Sequence, residues 1–272
     1  MPLNRLISQS WNAFVALQSM PCVISDAIPI LWFGDLEAYS NSPIRIVTVG
    51  LNPSNKEFQD KDCDPISVAL RFHNAVSLLG KQTLNGSDFM LYRQAMNEYF
   101  KCNPYKRWFQ WHEAALNDLD ATYGGIMLKQ GGEFKNTAIH IDIKTAIATN
   151  PTWGGLCNNC RSSLQLSCSK MYGNLVKLLD PQVIIIALDQ NSAKSNFGVN
   201  KNGCDTNLSY NVHPAYIRTY PNVTGRTLIW TRNMNGLPWG GMKLNDPAKT
   251  ATLQKIAAHL CKTFTSTKPI TI

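Results

Sequence analysis

The sequence predicts an α/β fold, a mostly parallel sheet covered by helices on both faces. Three observations carry this. Short, nearly continuous apolar and β-branched runs (Ile44–Val49, Ala138–Ile143, Val183–Leu188) look like strands buried on both faces. Stretches of helical periodicity separate them. Polar segments marked by Gly or Pro follow Val49, Ile143, Leu188 and Val212, at the strand ends where such sheets bind ligands. With 272 residues, 44% of them hydrophobic, the chain is long enough to bury its own core, and one domain is expected rather than two.

The elements follow in order. Residues 1–40 read as a helical extension, from Leu6 to about Ser19, broken at Met20–Pro21. Residues 41–265 form the α/β domain and 266–272 a loose tail. Strand Ile44–Val49 ends at Gly50 and enters the polar loop Leu51–Asp64. Pro65, a good first-turn residue, starts a helix that carries Val68, Ala69, Phe72, Ala75, Val76 and Leu79 on one side. A helix over 104–121 aligns Trp108, Trp111, Ala115, Leu116 and Leu119. Strand Ala138–Ile143 leads into a long loop reaching Ser163. Helix Lys170–Leu179, the turn Asp180–Pro181 and strand Val183–Leu188 come next. Strands Ser209–Val212 and Thr227–Thr231 and a closing helix, Pro247–Thr263, complete the pattern.

Charge is uneven. Lys and Arg number 26 against 18 Asp and Glu, giving +8. The last 82 residues hold ten of those bases and two of the acids, so the first 190 balance at 16 each. A basic segment of this kind suits a polyanion, nucleic acid above all. No apolar run reaches the roughly 18–20 residues of a membrane span, and the N-terminus lacks a secretory pattern. A soluble cytoplasmic protein with reduced thiols is expected.

Two segments stand out. In Gly50-Leu51-Asn52-Pro53-Ser54, the proline fixes the loop and presents Asn52, both donor and acceptor, at a strand end. The segment matches neither a phosphate loop nor a dinucleotide fingerprint. In Val212-His213-Pro214-Ala215, a histidine beside a rigid turn is suited to hydrogen-bond a developing anion. Alone, each also reads as a structural turn.

Together, in this order and about 160 residues apart, they resemble the two active-site motifs of the uracil-DNA glycosylase superfamily, nearest to its mismatch-specific and single-strand-selective branches. Arg71-Phe72 and Asp180–Leu188 are similar to further elements of that family. The resemblance implies a three-layer αβα domain around a four-stranded parallel sheet. It also implies a monomer that hydrolyses a base–sugar N-glycosidic bond in single- or double-stranded DNA, without metal or cofactor. By the same resemblance Asn52 holds the attacking water and His213 hydrogen-bonds O2 of the departing base, while Gly50 and Leu51 line the pocket with backbone groups. Phe58 or Phe72 stacks on a flipped base. Ser54 and the loop Ala215–Tyr220 meet DNA, with Tyr216 or Ile217 as the wedge and Arg218 on phosphate or the orphan base.

The base-reading position falls on His140 and Asp142, two polar residues at period two, where a uracil reader would carry asparagine. Asp accepts from an exocyclic amine, which turns the expectation toward a modified cytosine, although Asp142 also reads as a cap or loop anchor. Ser54 in place of glycine and Ala215 in place of serine depart from the family pattern. The Gly- and Asn-rich stretch 122–167 reads as an insertion that adds a wall for a larger substrate. Cys157, Cys160 and Cys168 are one short of a structural zinc set, so no metal is expected. Base-excision repair and defence against modified foreign DNA both fit this chemistry. The alternatives are an inactive nucleic-acid-binding protein of the same fold and a hydrolase of small nucleosides or nucleotides.

Overall fold

The structure, a computed structural model, describes residues 3–59, 68–128, 132–168, 170–212, 215–223, 225–231, 243, 245–264, 270 and 272. Inside its sheet lies β1 (Ile46–Gly50), buried along its whole length. β1 runs parallel to β3 (Asn136–Asp142) on one side and to β4 (Val183–Ile186) on the other. Beyond β3 lies the two-residue β2 (Ala121–Thr122), and beyond β4 lies β7 (Arg226–Thr231), both parallel to their neighbours. β6 (Ala215–Val223) pairs antiparallel with β7, and β5 (Asp205–Val212) antiparallel with β6. The seven-stranded order is β2-β3-β1-β4-β7-β6-β5.

This corrects the expected four-stranded parallel sheet: the sheet is mixed and larger. The added strands escape a sequence reading for physical reasons. β2 is too short to show a pattern. The segment 215–220, expected as a DNA-facing loop, is the body of β6. Pro221 makes that stretch look irregular, and the strand accommodates it at a register shift between Tyr220 and Val223.

The helices α1 (Leu3–Leu17), α2 (Leu36–Ser40), α3 (Val68–Arg71), α4 (Asp88–Asn97), α5 (Lys106–Asn117), α6 (Asn158–Cys168), α7 (Met171–Leu179), α8 (Gln190–Phe197) and α9 (Pro247–Thr263) pack around it. In α1 the buried residues Leu3, Leu6, Ile7, Ser10, Trp11 and Phe14 follow the spacing of one helix face. Leu3, Leu6, Ile7, Trp11 and Phe14, with Trp32 and Phe33, join the same core as the sheet. Asp246 caps α9 by accepting from Lys249 N, with Pro247 in the first turn, which explains why that helix was legible to the residue. The helix expected from Pro65 to Leu79 is broken at Phe72 (ψ 49°) into α3 and a 3-10 turn, His73–Leu78. Part of the long loop after β3 is α6, and β3 itself belongs to the stretch read as an insertion.

The amino-terminal edge of the sheet is pinned by polar contacts. Asp180, held in the left-handed conformation (φ 41°) after α7, accepts from Arg45 at 2.9 Å and Arg226 at 3.5 Å. Gln182 Oε1 accepts from Arg45 N, and Tyr39 donates to Leu179 O. Asn136, nearly fully buried, accepts from Ile44 N at 2.8 Å and donates to Asp120 O at 2.9 Å, tying β1, β2 and β3 at one point. Asn136→Ala is expected to strand Ile44 N, while Asp120 O keeps its bond from the backbone N–H of residue 136, and to cost about 1–3 kcal/mol, read as a lower urea midpoint at unchanged slope.

Candidate functional site

The register between β1 and β3 builds the carboxyl edge. It places Thr48 opposite His140 and Gly50 opposite Asp142, all four on one face. Thr48 Oγ1 lies 2.7 Å from His140 Nδ1 and 2.5 Å from the Tyr123 hydroxyl. His140 Nε2 faces Asp142 Oδ1 at 3.6 Å, too long for a direct hydrogen bond, and both side chains are buried. A Cβ on Gly50 would fall 2.5 Å from Asp142 Oδ1 and 3.0 Å from His140 Nε2. The glycine therefore serves as the space those two groups occupy. Phe33, Phe109 and His112 surround the His140 ring. Burial, with His140 close by, holds His112 well below the usual histidine range, so its ring is neutral.

Beyond Gly50 the chain and the exit of β3 stay together. Gly50 O and Leu51 O accept from Ile143 N and Lys144 N, so these carbonyls, expected to line a pocket, are already engaged. Asn52 donates through Nδ2 to Thr149 Oγ1 at 2.9 Å and to Pro53 O at 2.8 Å. Thr149 in turn donates to Pro151 O at 2.8 Å, so its oxygen meets Asn52 as an acceptor and the amide orientation is set. Asn52 Oδ1 has no partner among the described residues. Ser54, expected at DNA, caps the 3-10 turn Asn55–Glu57 by accepting from Lys56 N.

That turn carries a residue the sequence reading missed. Glu57 is buried, accepts from Tyr99 OH at 2.6 Å and lies 3.9 Å from Arg71 Nε. Burial pushes its carboxyl up to about 7, against the opposing pull of Arg71 and the Tyr99 hydrogen bond, with Asp142 adding to the rise. Arg71 also donates to Asn103 O and Lys56 O. Nothing in the local sequence separates Glu57 from an ordinary loop acid, since its environment comes from residues 14 to 85 positions away.

Phe58 and Phe72 stack on each other, ring centroids 5.7 Å apart, and both are buried. Tyr99 and Phe33 continue this aromatic cluster to His140. A cleft of about 180 Å³ opens beside Phe58, Gln59 and Asn150, against Val23, Ile24 and Asp26. The cavity that Asp142 itself lines is about 10 Å³, room for roughly one water.

His213 and Pro214 lie outside the described residues, as do the side chains of Ala215 and Tyr216. β5, which ends at Val212, points the same way as β1 and finishes at the same edge, but it stands four positions from β1 in the sheet, roughly 19 Å away, so its end is not brought to Asn52. Ile217, expected as a wedge, is fully buried in β6 and belongs to the core. Arg218 is half-buried and donates to Cys204 Sγ at 3.1 Å. Their strand lies three positions from β1 in the sheet, about 14 Å away.

Cys168 does not join Cys157 and Cys160, because it lies at the far end of α6, about 15 Å along the axis. Cys22 adjoins Cys160 instead. Donor atoms of His73, Glu98 and Cys102 fall within 4.8 Å of one another, but each ring nitrogen of His73 faces a different partner, Cys102 at 3.3 Å and Glu98 at 3.4 Å. That is a hydrogen-bonded chain rather than a shared ligand shell. No described helix is long and apolar enough to cross a membrane. No protein-family model matches the chain, and no curated protein matches it.

Two outcomes are expected. Gly50→Ala displaces Asp142 or His140 and destabilises by about 1–3 kcal/mol, measurable by denaturation. For Glu57, the folded chain holds its proton up to about pH 7 whereas the free carboxyl releases it near 4.5. The folded state thus binds more protons between these values, and stability falls as pH rises through that window, by no more than about 3 kcal/mol. Glu57→Gln is expected to flatten this slope in melts at pH 4.5 to 8; equal slopes in the two proteins would refute it.

Proposed function

We propose that this protein is a monofunctional DNA glycosylase that hydrolyses the N-glycosidic bond of a flipped, damaged or modified pyrimidine, a cytosine derivative rather than uracil. The observation that carries this is the anchoring of Asn52. Its amide nitrogen is tied down at the carboxyl end of β1, and its carbonyl oxygen is left to accept from a water. The site lies where the chain leaves β1 toward β3 on one side and returns to β4 on the other, the crevice at which open α/β sheets bind ligands.

An amide cannot take a proton, so Asn52 orients the water toward C1′ while the sugar gains positive character and the base departs as an anion. His213 is assigned the hydrogen bond to that anion by the resemblance alone, since β5 stands four positions from β1, roughly 19 Å along the sheet. Asp142, beside His140 and Gly50, is assigned to the base's exocyclic amine. The basic excess of residues 191–272 supplies the attraction for the DNA backbone. The reading also implies the three-layer αβα arrangement and a monomeric enzyme. Phe58, which lines the larger cleft, is the stacking candidate it favours over Phe72, which lines neither cavity.

The rival is a nucleic-acid-binding protein of the same fold without turnover, and the water-sized cavity at Asp142 favours it. Base release measured by mass spectrometry on DNA bearing uracil or methylated, hydroxymethylated or glucosylated cytosine separates the two. Asn52→Ala is expected to lower release by about 100-fold or more, and Thr149→Val, which frees the amide to turn, by about tenfold. No release by the wild type from any substrate, with DNA binding intact, would establish the binding protein instead.

A further inference from the structure

Cys157 immediately precedes α6, and Cys160 sits in that helix's first turn. Their sulfurs are 3.1 Å apart, and Cys160 N donates to Cys157 Sγ at 3.3 Å. Cys157 is exposed, Cys160 half-buried and Cys22, behind it, buried. Hydrogen bonds from the Cys160 thiol and backbone N–H lower the pKa of Cys157, favouring its thiolate. Contact with Cys22 and Cys157 raises that of Cys160, which stays protonated. One thiol is thus exposed and nucleophilic, and a second waits within reach. Thiolates sharing a tetrahedral zinc at about 2.3 Å would stand roughly 3.7 Å apart. The observed 3.1 Å is closer than that and on the way to the roughly 2.05 Å of a disulfide.

We propose that Cys157 and Cys160 are an oxidation site that closes reversibly into an intramolecular disulfide when the protein meets hydrogen peroxide. The Cys157 thiolate attacks the terminal peroxide oxygen. The O–O bond breaks, hydroxide leaves and takes up a proton, and Cys157 becomes a sulfenic acid. Cys160 sulfur then attacks the Cys157 sulfur. The S–S bond forms, the S–O bond breaks, and water leaves with the Cys160 proton. In balance two thiols lose two electrons and two protons, and hydrogen peroxide is reduced to two waters. A small dithiol reverses the step by exchange. The proposal does not depend on glycosylase activity, and its readouts do not involve base release.

The test uses the full chain. Iodoacetamide at neutral pH is expected to label Cys157 about tenfold faster than Cys261, an exposed cysteine on α9. Substoichiometric hydrogen peroxide is expected to give a Cys157–Cys160-linked peptide in mass spectrometry before Cys261 is lost, and dithiothreitol is expected to erase it. With Cys160→Ser, a sulfenic acid should accumulate on Cys157 and be trapped by a cyclic 1,3-diketone. With Cys157→Ser, Cys160 should stay reduced. Equal labelling of Cys157 and Cys261, a Cys22–Cys160 bond in place of the proposed one, or one equivalent of zinc in the untreated protein released by Cys157→Ser would each overturn it. The wild-type labelling rates decide the matter even where a variant does not fold.

Discussion

The parallel pairing of β1 with β3 governs what the rest of this molecule can do. Side chains on a strand alternate, so a shift of one residue would turn Thr48, Gly50, His140 and Asp142 to the opposite face or separate them. The register is held from the opposite edge. There Asn136 binds the chain entering β1, and Arg45, Asp180 and Gln182 bind β1 to the start of β4. Polar contacts at one end thereby fix which groups meet at the other. The buried apolar face between them, Val47, Val49, Ile139 and Ile141, makes any slip costly.

The loop after β1 follows a different logic. Its polar groups bond to distant parts of the chain: Asn52 to Thr149, Glu57 to Tyr99 and Arg71, and Gly50 and Leu51 to the exit of β3. A buried carboxyl that is half-protonated near neutrality sits within the same network. The loop's shape therefore depends on a charge balance as well as on packing, and the Phe58–Phe72 stack closes it on its inner side.

Legibility in the sequence follows the range of the interactions. The central strands were readable because burial on both faces writes a continuous apolar run, and α9 because Asp246 and Pro247 mark its start. His140 and Asp142 were rightly placed on one face because period two is a local rule. β6 was misread as a loop, since Arg218 and Pro221 interrupt its pattern and its pairing partners lie on either side of it in the chain. Glu57 and Thr149 carried no local mark at all. Their roles come from Tyr99, Arg71 and Asn52, brought near by the fold. The same holds for Cys22, 138 residues from Cys160 and beside it in space.

The Asn52–Pro53 step has a consequence for chemical lifetime. Asparagine ages to aspartate chiefly when the backbone nitrogen of the next residue attacks the side-chain carbonyl and closes a cyclic imide. The Pro53 nitrogen carries no hydrogen and cannot close that ring. The oxygens facing residue 52, Thr149 Oγ1 and Pro53 O, suit an NH₂ group and would repel a carboxylate. The turn that aims this side chain therefore also protects it, and an old molecule presents the same amide as a new one.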